Sequence, residues 1–91
     1  MSAVHLVVRG SVQGVGFRYF TRKTAQRCGV GGWVRNCDDG GVEIAASGDD
    51  ASLQSFLAII QRGPPGSHIA ALEYLTVENP DEDTSTFSIR R

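Results

Sequence analysis

The chain has 91 residues, 41% hydrophobic and 21% charged, with seven aromatics and a mean hydropathy of -0.14. This composition closes one modest core and excludes disorder, a collagen repeat and a scaffold of several domains, so residues 1–91 are expected to form a single domain. A net charge of -1 argues against a general nucleic-acid binder, and no apolar run approaches the ~18 residues of a membrane span.

The small net charge hides a division. Residues 1–37 carry Arg9, Arg18, Arg22, Lys23, Arg27 and Arg35 with no acid, a balance of +6, whereas residues 38–91 carry ten acids against three arginines, a balance of -7. An anionic ligand therefore belongs with the first part, and Arg22, Lys23 and Arg27 read as the solvated basic face of a helix. Cys28 and Cys37 lack C-x-x-C spacing and read as free thiols, with a disulfide between them the alternative. The start of the chain alternates like a strand and shows no cationic leader, which points to the cytoplasm.

In chain order, Val4, Leu6 and Val8 alternate with His5, Val7 and Arg9, predicting a strand over residues 3 to 9 that Gly10 ends. After a glycine-rich turn, Phe17, Phe20, Thr21, Thr24 and Cys28 fall on one side of a helix that Gly29 stops. Two β-prone runs, Val30 to Cys37 and Val42 to Ser47, flank Asp38-Asp39-Gly40-Gly41 and predict an antiparallel hairpin.

Leu53, Phe56, Leu57 and Ile60 have the i, i+3, i+4, i+7 spacing of a second helix, with Asp49 or Asp50 to cap it and Gly63-Pro64-Pro65 to end it. Ile69 to Val77 predicts a further strand, Asn79 to Ser85 a polar loop, and Thr86 to Ile89 could add a short fifth strand at an edge. Trp33, Phe56, Tyr74 and Phe87 are expected to pack in the core, while His5 and His68, without evident carboxylate or cysteine partners, read as ordinary histidines and not as metal ligands. No metal site and no cofactor are expected.

The order β-α-β-β-α-β buries two helical stripes economically on one face of an antiparallel sheet, a ferredoxin-like α+β sandwich. In that strand order the third strand lies between the first and second. The turn after strand 1 and Asn36 at the end of strand 2 then share one edge, roughly 10 Å apart.

The chemistry points to Gly10-Ser11-Val12-Gln13-Gly14-Val15-Gly16-Phe17-Arg18, which joins a strand to a helix. Gly14 and Gly16 let successive N–H groups curve into a concave nest, and the helix start adds unpaired N–H groups of its own. Arg18 in the first helical turn opposes the macrodipole, and an anion held between the helix start and its guanidinium supplies the local reason.

These residues, with Gly32-Trp33-Val34-Arg35-Asn36, Asp39-Gly40, Val42-Glu43 and Gly63-Pro64-Pro65, resemble the acylphosphatases in order over nearly the whole chain. Cys37, where the family often has an aliphatic residue, and Gly31 depart from the pattern without touching its two motifs. The resemblance implies hydrolysis of a carboxyl-phosphate anhydride to carboxylate and phosphate. Arg18 then takes the position of the loop arginine and Asn36 that of the strand-end asparagine.

On this reading the N–H groups of Gln13, Gly14, Val15, Gly16, Phe17 and Arg18, with the Arg18 guanidinium, hold the phosphoryl oxygens, and Asn36 orients the attacking water. The expected partner is a small acyl phosphate, with no nucleic acid and no membrane, and the chain is expected to act as a free-standing monomer. A non-catalytic phosphate-binding or regulatory module on the same fold is the alternative. An RNA-binding ferredoxin-like domain would place aromatics at alternate positions of its central strands, where strand 1 offers only His5, Val7 and Arg9.

Overall fold

The computed structural model describes residues 2–77 and 86–90. Its elements are β1 (Ser2–Ser11), α1 (Phe17–Cys28), β2 (Gly31–Asn36), β3 (Val42–Gly48), α2 (Asp50–Arg62), β4 (His68–Leu75) and β5 (Phe87–Arg90). The predicted polar loop from Asn79 to Ser85 lies outside the described residues. Among those described, no helix is long and apolar enough to cross a membrane.

The strands form one sheet in the order β4-β1-β3-β2-β5. β3 pairs antiparallel with both β1 and β2, and β4 pairs antiparallel with β1. The predicted edge strand is present, but it runs parallel to β2, so the sheet is mixed and not purely antiparallel. The chain enters β5 from the end of the sheet at which β2 begins, and the parallel direction follows.

One face of the sheet carries Leu6, Val8, Val34, Val42 and Ile44, all fully buried against the two helices. α1 contributes Phe17, Thr21, Thr24 and Ala25 to this core, and α2 contributes Leu53, Phe56 and Ile60. Phe56 meets Phe87 of β5 with ring centroids 6.0 Å apart, so the short edge strand is tied to the core by an aromatic pair. The hydroxyls of Thr21 and Thr24 are buried without loss because each donates to the carbonyl four residues back, Phe17 O and Phe20 O, at 2.8 Å. Asp49 stands at the α2 N-cap in extended conformation, but its side chain makes no capping bond. Asp50 instead accepts from the hydroxyl of Ser2.

Two expectations for the core are corrected. Tyr74 is 57% exposed. It sits on the edge strand β4 opposite Leu6, where alternation sets the correct face but the helices do not reach far enough to cover the ring. Trp33 is half-buried on the other face, packed edge-on to His5 at 5.8 Å, with the Arg90 guanidinium 4.6 Å from its ring centroid and that of Arg35 5.9 Å away.

That second face is organised by charge. Glu73, Val7, Glu43, Arg35 and Arg90 lie in one row across the five strands. Arg9 bridges Glu73 at 2.9 Å and Asp39 at 2.6 Å. Glu43, nearly enclosed, lies 2.5 Å from His5 Nε2 and accepts from Arg35 Nε at 2.6 Å. His5 therefore does have a carboxylate partner, brought to it by the β1–β3 pairing across 38 residues of chain.

Burial alone would push the Glu43 carboxyl up, but the hydrogen bonds from His5 and Arg35 outweigh it and hold the group below its ordinary value. A carboxylate depressed in the folded state stabilises the fold above its unfolded pKa of about 4.3, and this contribution is lost as the pH falls through the lower folded value. Glu43→Gln should lower stability at neutral pH and reduce the further loss between about pH 5 and pH 3, as read by urea unfolding at the two ends. An acid limb as steep in the variant as in the parent would assign the titration elsewhere.

Candidate active site

The residues between β1 and α1 form a turn whose geometry follows from two glycines. Gly14 and Gly16 have φ of 79° and 75°, while among the described residues none other than glycine takes positive φ, so the sign of φ alternates from Gln13 to Phe17. Alternation of this kind turns consecutive N–H groups toward one side. The N–H groups from Gly14 to Arg18 donate to no acceptor among the described residues, and helical bonding begins with Phe20 N to Gly16 O at 3.0 Å. The loop therefore offers a row of unused donors at the positive end of α1.

Arg18 follows directly, with no acid in the first turn of α1. The two arginines of the open sheet face, Arg9 and Arg35, meet Asp39, Glu73 and Glu43. Arg18 has no carboxylate partner among the described residues; its Nη1 reaches only the carbonyl of Arg90 at a long 3.4 Å. Half-buried and loosely held, it is a cation that no acid among the described residues neutralises.

Asn36 ends β2 on the same edge of the sheet. β1 and β2 are both antiparallel to β3, which lies between them, so their C-terminal ends coincide. The two predicted residues are brought together: Arg18 and Asn36 line one open cleft of about 210 Å³ with Val12, Gly14, Gly16, Phe17, Tyr19 and Ile89. The Asn36 side chain is half-buried and makes no hydrogen bond among the described residues. Val12 and Phe17 form an apolar floor that is almost fully buried, and Val15 packs against the core, anchoring the turn from below.

Not every predicted residue acts through its backbone alone. The side chain of Gln13 turns away from the nest, and its Nε2 donates to Cys37 O at 2.7 Å and Gly41 O at 2.8 Å. These are the two ends of the β2–β3 turn, already joined by Cys37 N to Gly41 O at 2.8 Å. One amide thus clasps the glycine turn to the segment that follows Asn36. Val12, Tyr19 and Ile89 line the cleft without having been singled out from the sequence; their positions at the ends of elements that meet only in space gave no local signal.

Burial pushes the Cys37 thiol up, which disfavours thiolate chemistry next to Asn36. Among the described residues no group of three or more His, Cys, Asp or Glu side chains could hold a metal ion. The arrangement can bind a compact anion at the nest and the Arg18 fork while presenting a neutral amide from across the cleft.

Gln13→Ala should weaken the binding of inorganic phosphate by about tenfold or more, because the loop would lose its fixed distance from β2. It should lower the unfolding free energy by only about 1–3 kcal/mol for two hydrogen bonds. Calorimetric phosphate titration alongside urea unfolding checks both, and unchanged phosphate affinity would show that the clasp does not position the loop.

The family model described as acylphosphatase matches residues 4–89. An acylphosphatase of Bifidobacterium longum is 44% identical over 87 residues, covering 96% of this chain and 90% of the relative. One of Thermotoga maritima is 45% identical over 86 residues, covering 92% and 96%. The crystal structure of acylphosphatase from Bacillus subtilis superposes with a TM-score of 0.91 at 41% identity over the full length of both chains. The same fold also occurs inside a longer protein: full-length HypF, in its phosphate- and nucleotide-bound form, matches with a TM-score of 0.81 at 29% identity, this chain covering 12% of it. With a family model over almost all of its length and relatives of this similarity from end to end, the chain belongs to the acylphosphatase family, enzymes that hydrolyse acyl phosphates.

Proposed function

We propose that this chain hydrolyses small acyl phosphates by in-line attack of a water at phosphorus, with Arg18 and the loop holding the phosphoryl group and Asn36 orienting the water. The observation that carries this reading is one cleft that brings together a guanidinium, a row of N–H donors and a side-chain amide, none of them engaged by a carboxylate or a strong acceptor among the described residues. The N–H groups of Gln13, Gly14, Val15, Gly16, Phe17 and Arg18 take the non-bridging oxygens, where negative charge gathers as the bond to the acyl oxygen loosens.

The water adds to phosphorus, the bond from phosphorus to the bridging oxygen breaks, and the carboxylate leaves with that oxygen and the bonding pair. Its conjugate acid has a pKa near 4, so no acid is needed to expel it. The proton of the water passes to a phosphoryl oxygen, and the products are carboxylate and inorganic phosphate. The amide of Asn36 can accept from the water and donate to it, a use that suits a neutral group facing an already crowded anion site.

Within this reading the enzyme needs no metal or other cofactor, because every charge it must offset is met by Arg18 and the backbone. Residues 1–91 work as one domain and as a monomer, with the core closed within a single chain. The two free thiols, Cys28 and Cys37, fit the reducing cytoplasm. A nucleic-acid ligand fits poorly, since Glu43 and Glu73 stand on the open sheet face among its arginines. Turnover of acetyl phosphate in the presence of EDTA, with phosphate release as the readout, tests the function directly. Phosphate binding without turnover would favour the regulatory module instead.

Arg18→Ala should lower kcat/KM on the order of 10³-fold and weaken phosphate binding with it, while the fold is retained. Arg18→Lys should recover little, because a point ammonium does not replace a planar fork. Near-normal turnover by either folded variant would remove Arg18 from the site.

Asn36→Ala should lower kcat by about 10²-fold with phosphate still a competitive inhibitor of near-unchanged affinity. A lost phosphate affinity at an unchanged kcat would make Asn36 a binding residue instead.

A further inference from the structure

Four large apolar side chains are strongly exposed among the described residues: Tyr19, Ile59, Tyr74 and Leu75. Only Tyr19 lines the cleft. It follows Arg18 in the first turn of α1, and 58% of it is exposed although the buried positions of that helix lie close by. Isolated exposed rings are ordinary on a protein surface, but this one borders a site whose phosphate-directed groups are all polar or main chain.

The ring is also held. The Arg22 guanidinium, one turn further along α1, stands 5.3 Å from its centroid. A cation over an aromatic face at i, i+3 restrains the side chain and lowers the entropy lost when something packs against it. Ile89 of β5, half-buried, is the other large apolar lining residue that is not part of the floor. The cleft thus combines polar, phosphate-directed groups with two large apolar side chains, one of them restrained.

We infer that Tyr19, steadied by Arg22 and facing a cleft shared with Ile89, determines specificity for the acyl half of the substrate and favours flat, aromatic acyl groups over small aliphatic ones. This rests on the acyl phosphate reading above and extends it to the carboxyl side of the scissile bond. The charge is on the phosphate and the leaving oxygen, so the distal part of an aromatic acyl group is an apolar plane, for which a restrained phenol ring is a matching surface.

The test compares kcat/KM for benzoyl phosphate and acetyl phosphate in the parent, Tyr19→Ala and Tyr19→Phe. Tyr19→Ala should reduce the benzoyl-to-acetyl ratio by about 3- to 10-fold, the change falling mainly on KM for benzoyl phosphate. Tyr19→Phe, which keeps the ring, should restore the ratio. A loss shared equally by both substrates, or no change for either, would overturn the assignment. A failure of Tyr19→Phe to restore the ratio would also overturn it, by tracing the effect to the hydroxyl. If the parent enzyme turned over neither substrate, the functional reading itself would fall, an outcome distinct from an unchanged ratio in an active enzyme.

Discussion

The position of β3 between β1 and β2, antiparallel to both, is the constraint on which the site depends. Two strands that flank a common antiparallel neighbour must run the same way, so the end of β1, the start of α1 and the end of β2 meet on one edge. The glycine turn and Asn36, more than twenty residues apart in the chain, become opposite walls of a cleft for this reason alone. The hydrophobic face built from Leu6, Val8, Val34, Val42 and Ile44 fixes the register, because a slip of one residue would turn these side chains into solvent. The Gln13 amide then sets the finer distance by fastening the loop to both ends of the β2–β3 turn.

Charge is apportioned between the two sides of the sheet with the same economy. On the open face the arginines Arg9 and Arg35 are met by Asp39, Glu73 and Glu43. At the cleft, Arg18 is given no carboxylate among the described residues, and the first turn of α1 contains no acid. Satisfied ion pairs hold a surface together, whereas an unsatisfied cation beside free N–H groups attracts an anion.

The sequence made the order of elements legible because its apolar residues are periodic: Phe17, Thr21 and Thr24 on α1, Leu53, Phe56 and Ile60 on α2, and Val4, Leu6 and Val8 on β1 all recur at the spacing of the element they form. That Arg18 and Asn36 meet at one edge was legible because a topology with β3 in the middle puts both there. What escaped was set by contacts distant along the chain. Alternation placed Tyr74 on the helical face of β4 but carries no information about how far the helices extend over an edge strand. The His5–Glu43 pair and the Gln13 clasp depend on partners 24 to 38 residues away, two of them main-chain carbonyls that have no residue identity to read. The parallel direction of β5 likewise appears only in its pairing with β2 and is not written in Phe87 to Arg90 themselves.

The lining of the cleft has a consequence for how the enzyme responds to its surroundings. Val12, Gly14, Gly16, Phe17, Arg18, Tyr19, Asn36 and Ile89 include no carboxylate, imidazole or thiol. None is a side chain of the kind that changes charge between about pH 5 and pH 8. A lining of a guanidinium, main-chain amides and one carboxamide keeps its own charge throughout that range. Any group in the cleft that ionises within that range is then one that the ligand brings with it, so the lining leaves the acid–base behaviour of the cleft to the molecule that enters.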